Sequence, residues 1–106
     1  MITVDDFKKL PLRIATIKKA DDHPDADRLY VLTIDLGNEE RTIVAGIKKS
    51  YEKSQLVGKK IAVITNLEPA TIRGVISNGM LLAANGESDI AIMVPEKNVE
   101  TGCVVR

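Results

Sequence analysis

Gly46–Lys53 does most to restrict how this chain can fold, because it interrupts a run of strand-like segments with residues unsuited to a strand. Ile47, Tyr51 and Leu56 suit a short helix or helical turn instead, and Gly58 breaks it. On either side, strand signals recur. Leu12–Lys19 alternates in its first half. Arg28–Asp35 is rich in Tyr, Val, Leu, Thr and Ile, and the turn residues Leu36-Gly37-Asn38 join it to Arg41–Ala45, so residues 29–45 read as a hairpin. Lys60–Thr65 is almost continuously apolar. Met80–Ala84 is a fifth strand closed by Asn85-Gly86, Ile90–Val94 is a further short one, and the tail ends in Cys103-Val104-Val105. Residues 66–79, punctuated by Pro69, Gly74 and Gly79, read as a long loop or irregular arm.

At the N-terminus, residues 2–10 read as a short helix. Thr3 can cap it, Asp6 stands three residues on as the capping-box acid, Ile2 and Phe7 are placed for a hydrophobic staple, and Pro11 stops it. So short a helix must dock its Val4, Phe7 and Leu10 side on something. Five or six short strands with one small helix between the third and fourth predict an all-β domain. The architecture with that order is the five-stranded oligonucleotide/oligosaccharide-binding barrel, or OB-fold. It would carry the short N-terminal helix and a C-terminal strand as extensions. SH3-like barrels lack a helix at this point. The 106 residues suffice for one domain, spanning 1–106.

Several function classes fall away on composition. No apolar run approaches the roughly 20 residues that span a bilayer, and the N-terminal residues do not resemble a signal peptide, so a cytoplasmic protein without membrane contact is expected. Cys103 is the single cysteine and His23 the single histidine, so no intrachain disulfide is possible and no zinc or iron–sulfur site is expected. A catalytic triad would have to use His23, which lies in the acidic loop His23-Pro24-Asp25-Ala26-Asp27. A loop cap, with Asp side chains bonding backbone N–H groups and Pro24 fixing the turn, is the expected role. Neither an enzyme nor a cofactor is expected.

The formal net charge is zero, but the charge is uneven along the chain. Residues 1–40 hold six Lys/Arg and nine Asp/Glu, residues 41–86 hold seven and two, and residues 87–106 hold two and four, giving −3, +5 and −2. A local basic excess can steer an anion even on a neutral protein. Within this middle stretch, residues 66–80 mix the donors Asn66, Arg73, Ser77 and Asn78 with conformational hinges. An Arg fork suits a phosphate, and an amide suits a base edge or ribose hydroxyl. Pinning an irregular connection is the other use for such donors, and Met80 reads as core on chemistry alone. Phe7, Tyr30 and Tyr51 are the only aromatics, too few and scattered for a long stacking surface.

Seven short motifs in register span residues 12–84: Leu12-Arg13-Ile14; His23-Pro24-Asp25-Ala26-Asp27 with Leu29-Tyr30; Ile34-Asp35-Leu36-Gly37; Arg41-Thr42-Ile43-Val44-Ala45-Gly46-Ile47; Leu56-Val57-Gly58-Lys59-Lys60; Asn66-Leu67-Glu68-Pro69; and Arg73-Gly74-x-x-Ser77-x-Gly79-Met80-Leu81-Leu82-Ala83. Together they resemble the tRNA-binding domain family, whose members are appended to methionyl-tRNA synthetases or stand alone. The resemblance implies an OB barrel that binds tRNA by shape and pairs as a homodimer, with a methionyl-tRNA synthetase as a further partner. It associates Asn66, Arg73, Ser77 and Met80 with the RNA surface. Lys48, Lys49 and Lys53 join them from the charge count.

Many family members carry Asn-Leu-Lys-Pro and a further base before Arg-Gly, whereas this chain has Glu68 and Ala70-Thr71. Fewer phosphate contacts mean weaker binding and a flatter salt dependence. A protein-interaction or chaperone-like barrel with a decayed RNA site is the competing reading. A dimer would offset weak sites through avidity. Its interface is expected at the two apolar ends, Val4, Phe7 and Leu10 in the helix and Val99, Val104 and Val105 in the tail.

Overall fold

The computed structural model describes residues 1–106. Its centre is β1 (Leu12–Asp22), an eleven-residue strand that pairs antiparallel with two neighbours along different halves. β2 (Tyr30–Asp35) lies along residues 16–22 and β4 (Lys60–Ile64) along residues 12–16, with Thr16 opposite both Asp35 and Lys60. The register shifts by one residue at Lys18, between Ile17 and Lys19. Such a bulge bends and twists a strand, and here it lets one strand serve both sides of a barrel. β3 (Glu40–Ala45) pairs with β2 from Tyr30↔Ala45 to Asp35↔Glu40, confirming the expected hairpin. The helical turn falls where expected, as α2 (Lys53–Leu56) between β3 and β4.

Alternation places one face of each strand inside. Ile17, Leu32, Ile34, Ile43, Ile61 and Val63 are fully buried, and Leu56 of α2 plugs the same core with Ile47. Tyr30 buries its ring and Tyr51 half-buries its own, while both use their hydroxyls. Tyr30 donates to the Tyr51 carbonyl at 2.8 Å, and the Tyr51 hydroxyl accepts from the Ile92 N–H at 3.0 Å.

Two features differ from the sequence expectation. Residues 66–79 are not a structureless loop. Ala70–Ile72 (β5) and Val75–Ser77 (β6) pair as a hairpin around Arg73-Gly74. Arg73 has φ 51° and Gly74 φ 89°, the two positive φ angles that a two-residue type I′ turn requires. The expected fifth strand is divided. Met80–Leu81 (β7) pairs with β4, while Ala83–Asn85 (β8) pairs with Ile90–Ile92 (β9) as a separate hairpin. The sheet runs β3-β2-β1-β4-β7, and β3 returns to lie against β6 and β7, which closes the barrel. At that seam the Asn78 N–H donates to the Thr42 carbonyl at 2.8 Å, and the Val44 N–H donates to Ser77 Oγ at 2.9 Å.

The chain ends behave differently from one another. The helix α1 (Val4–Lys8) has its capping box, with Asp6 N–H to Thr3 Oγ1 at 3.1 Å and Thr3 N–H to Asp6 Oδ2 at 3.2 Å. None of its residues is buried, and Ile2 and Phe7 of the expected staple both remain exposed. The tail is laced to the barrel. Val104–Val105 (β10) pairs with β1 at Arg13 and Leu12, and Arg13 reaches across it, Nε donating to the Gly102 carbonyl and Nη2 to the Leu36 carbonyl.

Candidate nucleic-acid interface

The β5–β6 hairpin is an arm held at both ends. At its base, Ser77 ties it into the closing seam, Oγ accepting from Val44 N–H and donating to the Gly79 carbonyl at 3.1 Å. At its tip, the His23–Asp27 loop holds it. His23 Nε2 bonds the Ile72 carbonyl at 3.0 Å, the Asp25 N–H donates to His23 Nδ1 at 3.0 Å, and Arg73 Nη2 donates to the Asp25 carbonyl at 2.9 Å. A carbonyl can only accept and an amide N–H can only donate, so these partners fix the tautomer with the proton on Nε2. The acidic loop is capped, but by the imidazole ring and not by Asp side chains as the sequence suggested.

The candidate residues separate into groups. Arg73 is exposed at the arm's tip, Asn66 is exposed in the bend between β4 and β5, and Met80 of β7 is 47% exposed, not part of the core. Ser77 is 4% exposed with its hydroxyl committed to the seam, so it serves the arm's attachment and presents no group outward. Lys48 and Lys53 share one acid, Asp22, the chain neighbour of His23. Their Nζ atoms stand 3.0 and 2.9 Å from the two carboxylate oxygens of Asp22. Lys53 and Lys48 beside Asp22 hold its carboxyl below the usual carboxylate range, and Asp22 in turn pushes the Lys53 ammonium up. Lys48 also sits 5.8 Å from the centre of the Tyr30 ring. Lys49 is exposed without an ionic partner.

The basic stretch of the sequence is therefore partly neutralised in space. Arg41 is spent on Glu39 and on the Thr65 carbonyl, and Lys60 on Asn98 and the Val99 carbonyl. Sequence reasoning missed Asp22 as the acid that organises two of the lysines. It is 26 and 31 positions from them, and no local pattern signals such a pairing. No aromatic ring stands on the arm; Tyr30 is buried, Tyr51 half-buried, and Phe7 lies on α1.

A second surface is apolar. A groove of about 490 Å³ runs between Ile14 and Ala62 of the barrel and Met93, Val94, Val99, Val104 and Val105 of the last segment. Val94 and Val104 along it are more than half exposed. No helix is long and apolar enough to cross a membrane.

Comparison with known proteins places the chain in a family. Methionine--tRNA ligase of Pyrococcus abyssi is 48% identical over 105 residues, which cover 99% of this chain and 14% of that protein. The chain thus spans about one seventh of the length of the curated relatives it matches. Among solved structures, a MetRS related protein from Pyrococcus horikoshii superposes with a TM-score of 0.93 at 36% identity, covering 100% of this chain and 98% of that one. The CsaA chaperone protein from Picrophilus torridus superposes with a TM-score of 0.92 at 30% identity, covering 100% of both chains. The family model described as "Putative tRNA binding domain" matches residues 12–103, nearly the whole barrel and tail, and the chain belongs to that family.

Proposed function

We propose that the chain binds tRNA by its shape, through the face that carries the β5–β6 arm. The observation that carries this reading is the arm itself. It is pinned at base and tip and presents Arg73 outward, with the exposed Asn66 preceding it and the exposed Met80 following it in the chain, beside a barrel without aromatic platforms. A rigid donor-bearing projection suits phosphates, ribose hydroxyls and one or two unstacked bases of a folded RNA. Lys48, Lys49 and Lys53 add long-range attraction, moderated by Asp22. Binding tRNA in the cytoplasm for a methionyl-tRNA synthetase, as a subunit or in trans, accords with the relatives' names. The chain itself performs no chemistry in this role. A gel shift of unfractionated tRNA at low and moderate salt tests the reading. A retarded complex that weakens with salt and with Arg73→Ala is expected, and equal binding by the variant removes the arm from the site.

Homodimerisation belongs to the same proposal. Val4 and Phe7 of α1 and Leu10 just after it are only partly covered by their own barrel, at 70, 36 and 46% exposed, while the tail leaves an open groove with Val99, Val104 and Val105 in its wall. A two-fold pair could bury both with one self-complementary contact and set two arms on one particle.

The groove and the likeness to the CsaA chaperone protein favour a second reading, in which apolar segments of other proteins are bound. Competition between tRNA and an unfolded polypeptide separates the two readings.

A further inference from the structure

Resting on the reading of the arm as the tRNA contact, we infer that His23 is a positioning residue for Arg73, so that the His23–Asp27 loop belongs to the binding machinery without itself needing to touch RNA. The three bonds at the arm's tip form a closed circuit. His23 holds the Ile72 carbonyl, Ile72 is covalently joined to Arg73, Arg73 holds the Asp25 carbonyl, and the Asp25 N–H returns to the His23 ring. His23 is only 5% exposed, and both of its ring nitrogens are used. Replacing it with an apolar side chain leaves one carbonyl and one N–H without their partner at the same place.

Arg73 needs such a frame for two reasons. Its φ of 51° is a conformation that non-glycine residues hold only when their surroundings impose it. Its long side chain also has many rotamers, and tRNA would have to order it on binding. The Asp25 carbonyl occupies an Nη2 donor and orients the guanidinium plane, which leaves donors on Nε and Nη1 for a phosphate or ribose. Asp25 can do this only where the His23 ring sets its backbone. His23 thus lowers the ordering cost of the contact residue from a buried position.

The test is tRNA affinity for the parent, His23→Ala, Arg73→Ala and the double variant, with hydrogen exchange followed on each free protein. His23→Ala is expected to weaken binding roughly three- to tenfold, and to add less than about twofold on the Arg73→Ala background, as coupled residues do. His23→Gln, whose amide can still donate to the Ile72 carbonyl, is expected to recover most of the loss. Amides of residues 70–77 should exchange faster in His23→Ala, while those of Ile34 and Ile43 in the core keep their protection. The same factor lost in both backgrounds, or unaltered binding by His23→Ala, overturns the inference. So does loss of core protection together with the arm's, which would make His23 a residue of the whole fold. Unaltered binding by Arg73→Ala is a distinct result that removes the arm reading and this inference with it.

Discussion

Arg13 and Gly102 are 89 positions apart, and the Arg13 Nε donates to the Gly102 carbonyl at 3.1 Å. Around this bond, Gly102 N–H donates to the Ile14 carbonyl at 2.6 Å, and Ile14 N–H donates to the Cys103 carbonyl at 2.9 Å. A Cβ on Gly102 would stand 2.3 Å from the Leu36 carbonyl oxygen, at a φ of +90°. Gly102→Ala is therefore expected to cost at least about 1–2 kcal/mol from the left-handed backbone alone, before the clash is added. A thermal melt lower by several degrees checks it.

Arg73→Ala should weaken tRNA binding by about 1–3 kcal/mol and lower the slope of log affinity against log salt by roughly one. Arg73→Lys keeps the charge but loses the fork, and should recover the slope more than the affinity. Filter binding at several salt concentrations measures both.

Asp22→Asn releases two lysines from one carboxylate. If Lys48 and Lys53 attract the RNA, the variant should bind tRNA more tightly, with a steeper salt dependence. The pair also has a pH signature. The folded-state pKa of Asp22 is lowered, so its stabilising contribution is present above the ordinary carboxylate value and is lost as pH falls through the folded value. That of Lys53 is raised, so its contribution is present below the ordinary lysine value and is lost as pH rises through the raised one. The melting difference between parent and Asp22→Asn should therefore be constant near neutrality and vanish in acid.

Phe7→Glu should split a dimer built on α1, since a lone carboxylate buried in an apolar interface is costly. Light scattering at micromolar concentration reads the mass directly. A parent mass of 11.6 kDa that dilution leaves unchanged would mean α1 remains uncovered.

Where signals were local, the sequence revealed the structure. The Thr3/Asp6 capping box, the hairpin around Leu36-Gly37-Asn38 and the helical turn ending at Leu56 are each written within a few residues, and each is present. The arm was legible in part. Ala70-Thr71-Ile72 and Val75-Ile76-Ser77 flank a two-residue turn, but the turn opens with Arg where Asn or Asp is the usual signal. Ser77 and His23 could not be interpreted the same way. Their partners Val44 and Ile72 are brought to them only by barrel closure and by the arm's fold. The middle segment's charge was misleading because a segment count ignores acids arriving from elsewhere, and Asp22 arrives from β1.

The pairing of β10 with β1 also bears on how the chain folds during synthesis. The edge of β1 at Leu12 and Arg13 is completed by Val105 and Val104, which are made roughly ninety residues after it. At translation rates of about 5–20 residues per second, that edge stands open for several seconds. The nascent barrel must hold a strand ready for a partner not yet synthesised, and contacts so distant in sequence also favour slow folding.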